Sequence, residues 1–195
     1  CMVNQVYALV GPYAAGKTTM ISQLISMGIH YVPTYTTRRY SSHQPAKKVL
    51  YRTLKKEAFM EQDLIVKTPY QGEYYGIKKD ELLTSIHTRK ISLIVLDAVG
   101  IKQLDKLVRQ NLSTIYLMVD YVALVDRMLR MGHSNDEIKY YLEYAESNKE
   151  FDSWKVTDYV VKNVGRPQAA LNQILSIMGL TMLLPPKEFD ALAKK

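Results

Sequence analysis

An apolar run from Gln5 to Val10, the eight residues GPYAAGKT from Gly11 to Thr18, and then Met20, Ile21, Leu24 and Ile25 at helical spacing leave this chain few folds to choose from. The first stretch reads as a buried strand, the last as a helix that Gly28 stops. A strand feeding a glycine loop that opens a helix aims several backbone N–H groups and the positive helix end at one anion. The loop also fills every fixed position of G-x-x-x-x-G-K-[ST], the pattern that cradles a nucleoside triphosphate. Gly11, Ala14, Ala15, Gly16, Lys17, Thr18 and Thr19 are therefore the candidate ATP contacts. Lys17 would neutralise β- and γ-phosphate oxygens, and the Thr18 hydroxyl would ligate Mg2+ carried in with the nucleotide. A glycine turn beside a surface lysine is the plainer alternative, and the strand and helix flanks argue against it.

Three more apolar runs read as core strands, Ile91 to Asp97, Thr114 to Val119 and Val156 to Lys162. Helical patterns accompany them over Leu82–Arg89, over Val122–Met131 with Gly132 as a stop, and over Pro167–Met178 with proline at a favoured first-turn position. This alternation predicts an α/β fold, a P-loop NTPase-type parallel sheet flanked by helices, with ligands at the carboxyl ends of the strands. Two segments break the alternation. Residues 34–77 mix short β-rich runs with a basic stretch and the tyrosine-rich PYQGEYYG, and read as an inserted substrate subdomain. Residues 126–150 read as a small helical lid: a helix bearing Arg127 and Arg130, a turn at Gly132, then a capping box of Ser134 and Glu137 before Ile138, Tyr141, Leu142 and Ala145 on one face. The expected organisation is one domain over 1–195, its core made of 1–33, 78–125 and 151–195.

At 195 residues and 47% hydrophobic content the chain can bury one sizeable core. The net charge of +7 suits polyanionic ligands. Seven basic residues and no acidic one fall between Arg38 and Lys56 (Arg38, Arg39, Lys47, Lys48, Arg52, Lys55 and Lys56), either as a solvated face or as phosphate ligands. Few aromatic residues interleave with them, which ranks nucleic acid behind mononucleotides as a partner. The single cysteine, Cys1, gives no disulfide framework, and no Cys/His cluster has metal-ligand spacing. No apolar span or signal-peptide pattern is present, so a cytoplasmic protein without membrane contact is expected, monomer or homodimer. The tail from Leu180 to Lys195, with Pro185 and Pro186, reads as an extra helix or a partner contact.

Taken in order, these motifs resemble the guanylate kinase family from Gln5 to about Met178. The matching residues are GPYAAGKTT, the triplet Thr36-Thr37-Arg38, Tyr51 with Phe59, the YYG of Tyr74, Tyr75 and Gly76, the strand ending in Asp97 with Gly100 after it, and Asn163 closing the last strand. The resemblance implies an ATP-binding core, an inserted nucleoside-monophosphate-binding region and a lid, transferring a phosphoryl group to GMP or dGMP. It implies that Arg38, Tyr51 and Tyr75 grip the acceptor phosphate, that Thr34 lies near its base, and that Asp97 orients the acceptor or magnesium-bound water. Arg130, with Arg127 in second place, would be the lid arginine on the transferring phosphoryl group. Lys17, Arg38 and Arg130 form the expected catalytic set.

The chain departs from the pattern at three places. Where the family has a second phosphate-gripping arginine three residues after the first, Ser41 stands here, with Arg39 or Arg52 left to compensate. The family's guanine-reading glutamate falls on Val66, which accepts no hydrogen bond, and a second lid arginine is replaced by Tyr141. These losses keep two alternatives open: a binding module on the same fold with weakened catalysis, and a kinase for another phosphorylated acceptor such as a sugar phosphate. The D-x-x-G of Asp97–Gly100 also raises a GTPase-type switch, but the guanine-reading N-K-x-D fails because Asn148, Lys149 and Glu150 run into Phe151.

Overall fold

Alternation within the first strand decides the layering. In β1 (Gln5–Val10) Tyr7 and Leu9 point to one face while Val6, Ala8 and Val10 point to the other, and all five are buried. A strand apolar on both sides must lie between two helical layers. The computed structural model describes residues 3–180 and shows this arrangement. Residues 181–195 of the tail, and Cys1, lie outside the described residues.

The chain runs β1, α1 (Lys17–Ser26), β2 (His30–Tyr31), then an insert of β3 (Thr34–Thr36), α2 (Pro45–Leu50), β4 (Tyr51–Thr53), α3 (Lys56–Met60), β5 (Leu64–Tyr70) and β6 (Glu73–Lys78). It returns through α4 (Lys79–Thr88), β7 (Ile91–Val95), α5 (Ala98–Val108), β8 (Leu112–Met118), α6 (Tyr121–Arg130), α7 (Asn135–Ser147), a 3-10 turn over Glu150–Val156, β9 (Tyr159–Lys162) and α8 (Pro167–Ile177). The main sheet has the order β2-β7-β1-β8-β9, with every pair parallel. On one face Tyr7 and Leu9 pack with Met20, Ile21 and Leu24 of α1, Leu124 and Met128 of α6, and Leu171 and Ile174 of α8. On the other, Val6, Ala8 and Val10 meet Leu82 and Ile86 of α4 and Ile101 and Leu104 of α5. No helix among the described residues is long and apolar enough to cross a membrane.

The insert builds its own sheet, β4-β3-β6-β5, in which β3 runs parallel to β4 and antiparallel to β6. The β5–β6 hairpin turns through Gln71 and Gly72, both at positive φ, as the tightest hairpins require. Gly76 is needed for packing, because a Cβ there would sit 2.8 Å from the Val66 carbonyl oxygen and 2.9 Å from Leu64.

Two expectations change. Helix α5 was not foreseen: Asp97 is its N-cap, accepting from the Gly100 N–H at 2.8 Å, so the D-x-x-G pattern is a helix start. The last strand begins at Tyr159, since residues 150–156 coil into 3-10 turns, and Asp158 then pins the strand by accepting from the N–H and hydroxyl of Thr114 at 2.8 and 3.1 Å. The capping box of Ser134 and Glu137 and the first-turn position of Pro167 are present as expected.

Candidate functional site

The loop between β1 and α1 is shaped by two residues in left-handed conformations, Ala14 at φ 67° and Gly16 at φ 100°. Successive turns of this kind make a concave nest of N–H groups that accepts an anion. The loop's carbonyls are tied off from behind. Asn163, buried at the end of β9, donates to the Ala15 oxygen at 2.8 Å, and Arg127 donates to the oxygens of Ala14 and Ala15 at 3.2 and 3.0 Å and to that of Asn163. Within the loop the Ala15 N–H donates to the Pro12 carbonyl at 3.1 Å. Lys17 reaches back to the Gly11 carbonyl; burial lowers its pKa, against the opposing pull of Glu150 and Asp97. A desolvated ammonium with one neutral partner is poised for an anionic one. Thr18 lies beside it on α1, while Thr19 is exposed.

Arg38 follows β3 and faces this loop across the cleft. Burial works against its charge, but the phenols of Tyr75 and Tyr40 beside it hold its pKa above the ordinary value, helped by hydrogen bonds it donates to the Tyr75 and Tyr141 oxygens. Its Nη1 donates to Gln71 Oε1 at 3.3 Å. Around it stands a cage of tyrosines. Tyr40 stacks on Tyr51 with centroids 5.3 Å apart, Tyr51 meets Tyr75 edge-on at 5.5 Å, and the Tyr40 and Tyr75 hydroxyls are 3.1 Å apart. Burial pushes the Tyr40 and Tyr51 phenols upward, so they stay protonated at neutral pH and can donate to phosphate oxygens. Thr34 is buried beside the Tyr31 phenol, which donates to the Leu50 carbonyl at 3.0 Å.

The segment over residues 126–150, expected as a lid, touches both the loop and the insert. Tyr141 of α7 stacks on Tyr13 of the loop at 4.0 Å and 12°, and the Tyr13 hydroxyl is 2.7 Å from His133 Nε2. Tyr144 accepts from the Gln71 N–H at 3.0 Å and packs edge-on against Tyr70. The two lid arginines part company. Arg130 is 79% exposed and pairs with Asp126 at 3.1 Å, whereas Arg127 sits on the loop. The signal was readable in α6. Leu124 and Met128 are its buried residues, Arg127 flanks their stripe, and Arg130 falls on the far side.

Arg39 and Arg52 do not join Arg38. Arg39 lines a recess of the insert with Lys55 and Lys56, and Arg52 donates from Nη1 to the Tyr35 hydroxyl at 3.2 Å, its guanidinium 5.9 Å from that ring's centre. Ser41 is exposed. The cation that does enter the cleft is Lys47, singled out in the sequence only as one of a basic run; its Nζ donates to Thr18 Oγ1 at 3.0 Å.

Below the lid a cavity of about 150 Å³ is lined by Tyr70, Asp97, Tyr144, Asn148 and Glu150. Burial raises the pKa of both carboxyls; Lys17 lowers each, and the Gly100 N–H further lowers that of Asp97. Glu150 Oε2 is buried without a hydrogen-bond partner. Val66, by contrast, is packed in the core against Leu96 and Ile77, turned away from any polar role.

The donor set fits magnesium brought on phosphates better than a protein-built cage. Among the described residues no group of three acidic, histidine or cysteine side chains could hold a metal. Thr18 Oγ1, while accepting from Lys47, keeps a second lone pair for a cation.

No protein-family model matches the chain. The guanylate kinase of Synechocystis sp. is 25% identical over 181 residues, spanning 90% of this chain and 94% of that protein. The guanylate kinase of Bartonella henselae is 23% identical over 177 residues, spanning 88% and 77%. Among solved structures, guanylate kinase from Anaplasma phagocytophilum superposes with a TM-score of 0.70 at 20% identity, covering 91% of this chain and 86% of that one.

Proposed function

From a chain related to the guanylate kinases over most of its length, we propose an ATP-dependent nucleoside monophosphate kinase that phosphorylates GMP or dGMP. The observation that carries the reading is the pair of desolvated cations Lys17 and Arg38 in one cleft, neither held in an ion pair among the described residues of the kind Arg130 makes with Asp126.

The loop amides and Lys17 hold the β- and γ-phosphates, while Arg38, Tyr51 and Tyr75 hold the acceptor's phosphate. A non-bridging oxygen of that phosphate attacks the γ-phosphorus, the bond to the β–γ bridging oxygen breaks, and ADP leaves with the electron pair. No proton need move, because a phosphate monoester is largely dianionic at neutral pH. Charge spreading over the equatorial oxygens is met by Lys17 from the donor side and Arg38 from the acceptor side. Thr18 and the nucleotide's own phosphates would hold magnesium, which would offset phosphate charge when bound. Arg127 acts through the loop backbone it ties down; Arg130 reaches the phosphates only by leaving Asp126.

With Val66 in the core, the guanine N1–H and amino group fall to the carboxyls that line the cavity, Asp97 and Glu150, and Thr34 stands beside Tyr31 on the insert side. The chemistry draws on ATP and mononucleotides and fits a cytoplasmic protein. A coupled assay of ADP release over the common ribo- and deoxyribonucleoside monophosphates tests the reading. Turnover greatest with GMP or dGMP supports it, and release no faster than the acceptor-free background with every monophosphate refutes it.

A further inference from the structure

Lys47 lies on α2, three residues before the buried Leu50 and on the same inner face of that short helix. Its ammonium touches the donor loop through Thr18 Oγ1 at 3.0 Å, and it stands 6.0 Å from the ring centre of Tyr13 and 5.9 Å from that of Tyr51. Those rings belong to opposite halves of the cleft, Tyr13 to the ATP loop and Tyr51 to the acceptor-phosphate cage. The charges that bear most on Lys47 are positive, Lys17 from α1 and Arg38 from the segment after β3. Among the described residues no carboxylate forms an ion pair with Lys47, and the anion able to satisfy all three cations is polyphosphate.

We propose that Lys47 binds phosphate oxygens at the junction of donor and acceptor, touching both the transferring phosphoryl group and the acceptor phosphate, in the place left by the arginine missing at Ser41. This rests on the phosphoryl-transfer reading above. Arg39 and Arg52, the compensating residues the sequence suggested, face elsewhere, whereas the face of α2 that buries Leu50 carries Lys47 into the cleft. Lys47 adds no proton transfer to the reaction.

The test uses the full chain as wild type, Lys47→Met and Lys47→Arg, with Lys48→Met as the exposed neighbour. Two probes are titrated by calorimetry: a pentaphosphate joining adenosine and guanosine, which spans both sites, and ADP, which lacks the γ- and acceptor phosphates. A charge-assisted contact predicts that Lys47→Met weakens the pentaphosphate by about 10- to 100-fold, leaves ADP within about twofold, and that Lys47→Arg restores most of the loss. Lys48→Met should leave both affinities within about twofold of wild type. Equal pentaphosphate affinity in wild type and Lys47→Met overturns the proposal even if the wild type is an active kinase. Weakened binding in Lys47→Met supports it even if no monophosphate is turned over, an outcome that would refute only the kinase reading. Parallel loss of ADP and pentaphosphate affinity would mark Lys47 as a support of the loop and also overturns it.

Discussion

Replacing Gly16 by alanine probes the contact that shapes the phosphate loop. At φ 100° an L side chain is strained, which costs about 1–2 kcal/mol. The new Cβ would also overlap Asn163 Nδ2 outright, so Asn163 must leave the Ala15 carbonyl it bonds at 2.8 Å. Displacing a buried amide from its partner adds about 1–3 kcal/mol, held toward the lower end because Arg127 still donates to Ala15. The sum is about 2–5 kcal/mol, and at roughly 2–4 °C per kcal/mol for a domain of this size it lowers Tm by about 4–20 °C. Gly28→Ala is the matched control. Its φ of 92° is similar and a Cβ there meets nothing within 4 Å, so only the conformational part, about 1–2 kcal/mol, applies. Denaturation followed by circular dichroism should show Gly16→Ala more destabilising than Gly28→Ala. Asn163→Ala in the same chain should recover part of the excess, making the pair non-additive. Equal losses at positions 16 and 28, or strict additivity of Gly16→Ala with Asn163→Ala, would refute the packing argument.

Lys17→Ala should cut turnover by at least about 100-fold while leaving the Tm of the ligand-free protein unchanged or raised, because it removes a desolvated charge hydrogen-bonded to the neutral Gly11 carbonyl; a collapse in Tm would assign Lys17 to packing. Tyr144→Phe strips the acceptor from the Gln71 N–H, a lid-to-insert bond, and should cost about 1 kcal/mol in chemical denaturation and raise the acceptor KM; unchanged values in both would detach the lid from the site. Lys47 gives the pH dependence its sign. With its pKa lowered from 10.5 to about 8, the folded state binds fewer protons than the unfolded state between those values, so this group's contribution makes stability rise with pH across that window and stay flat below it. Urea titrations of wild type and Lys47→Met from pH 7 to 10.5 should show their stability difference shrinking as pH rises, and a constant difference would contradict the assignment.

The donor half was legible because it is local. A strand, a glycine loop and a helix follow one another in the chain, and period-2 and period-3.6 patterns mark them without tertiary help. The parallel sheet followed for the same reason. Helix α5 was missed because Asp97 and Gly100 form a cap that looks like a switch motif in sequence, although Ile101 and Leu104 carry its buried face. The acceptor half depends on convergence. Tyr13 and Tyr141 stack although far apart in the chain, and Arg127 reaches Asn163 through a fold the chain order does not announce. In the basic stretch from Arg38 to Lys56, the irregular segment after β3 brings Arg38 to Gln71 and leaves Arg39 lining the recess with Lys55 and Lys56, and one face of a six-residue helix selects Lys47. Charge counting alone cannot separate these cations, and the insert's geometry does.

Phosphorus-31 NMR of the full chain with ATP, magnesium and GMP observes the transfer itself. The proposed chemistry requires the β-phosphorus resonance of GDP to grow in step with that of ADP, and to vanish in Lys17→Ala. A spectrum in which ATP shifts on binding while no GDP β-phosphorus forms would contradict the claim that this cleft joins a phosphate donor to a phosphate acceptor.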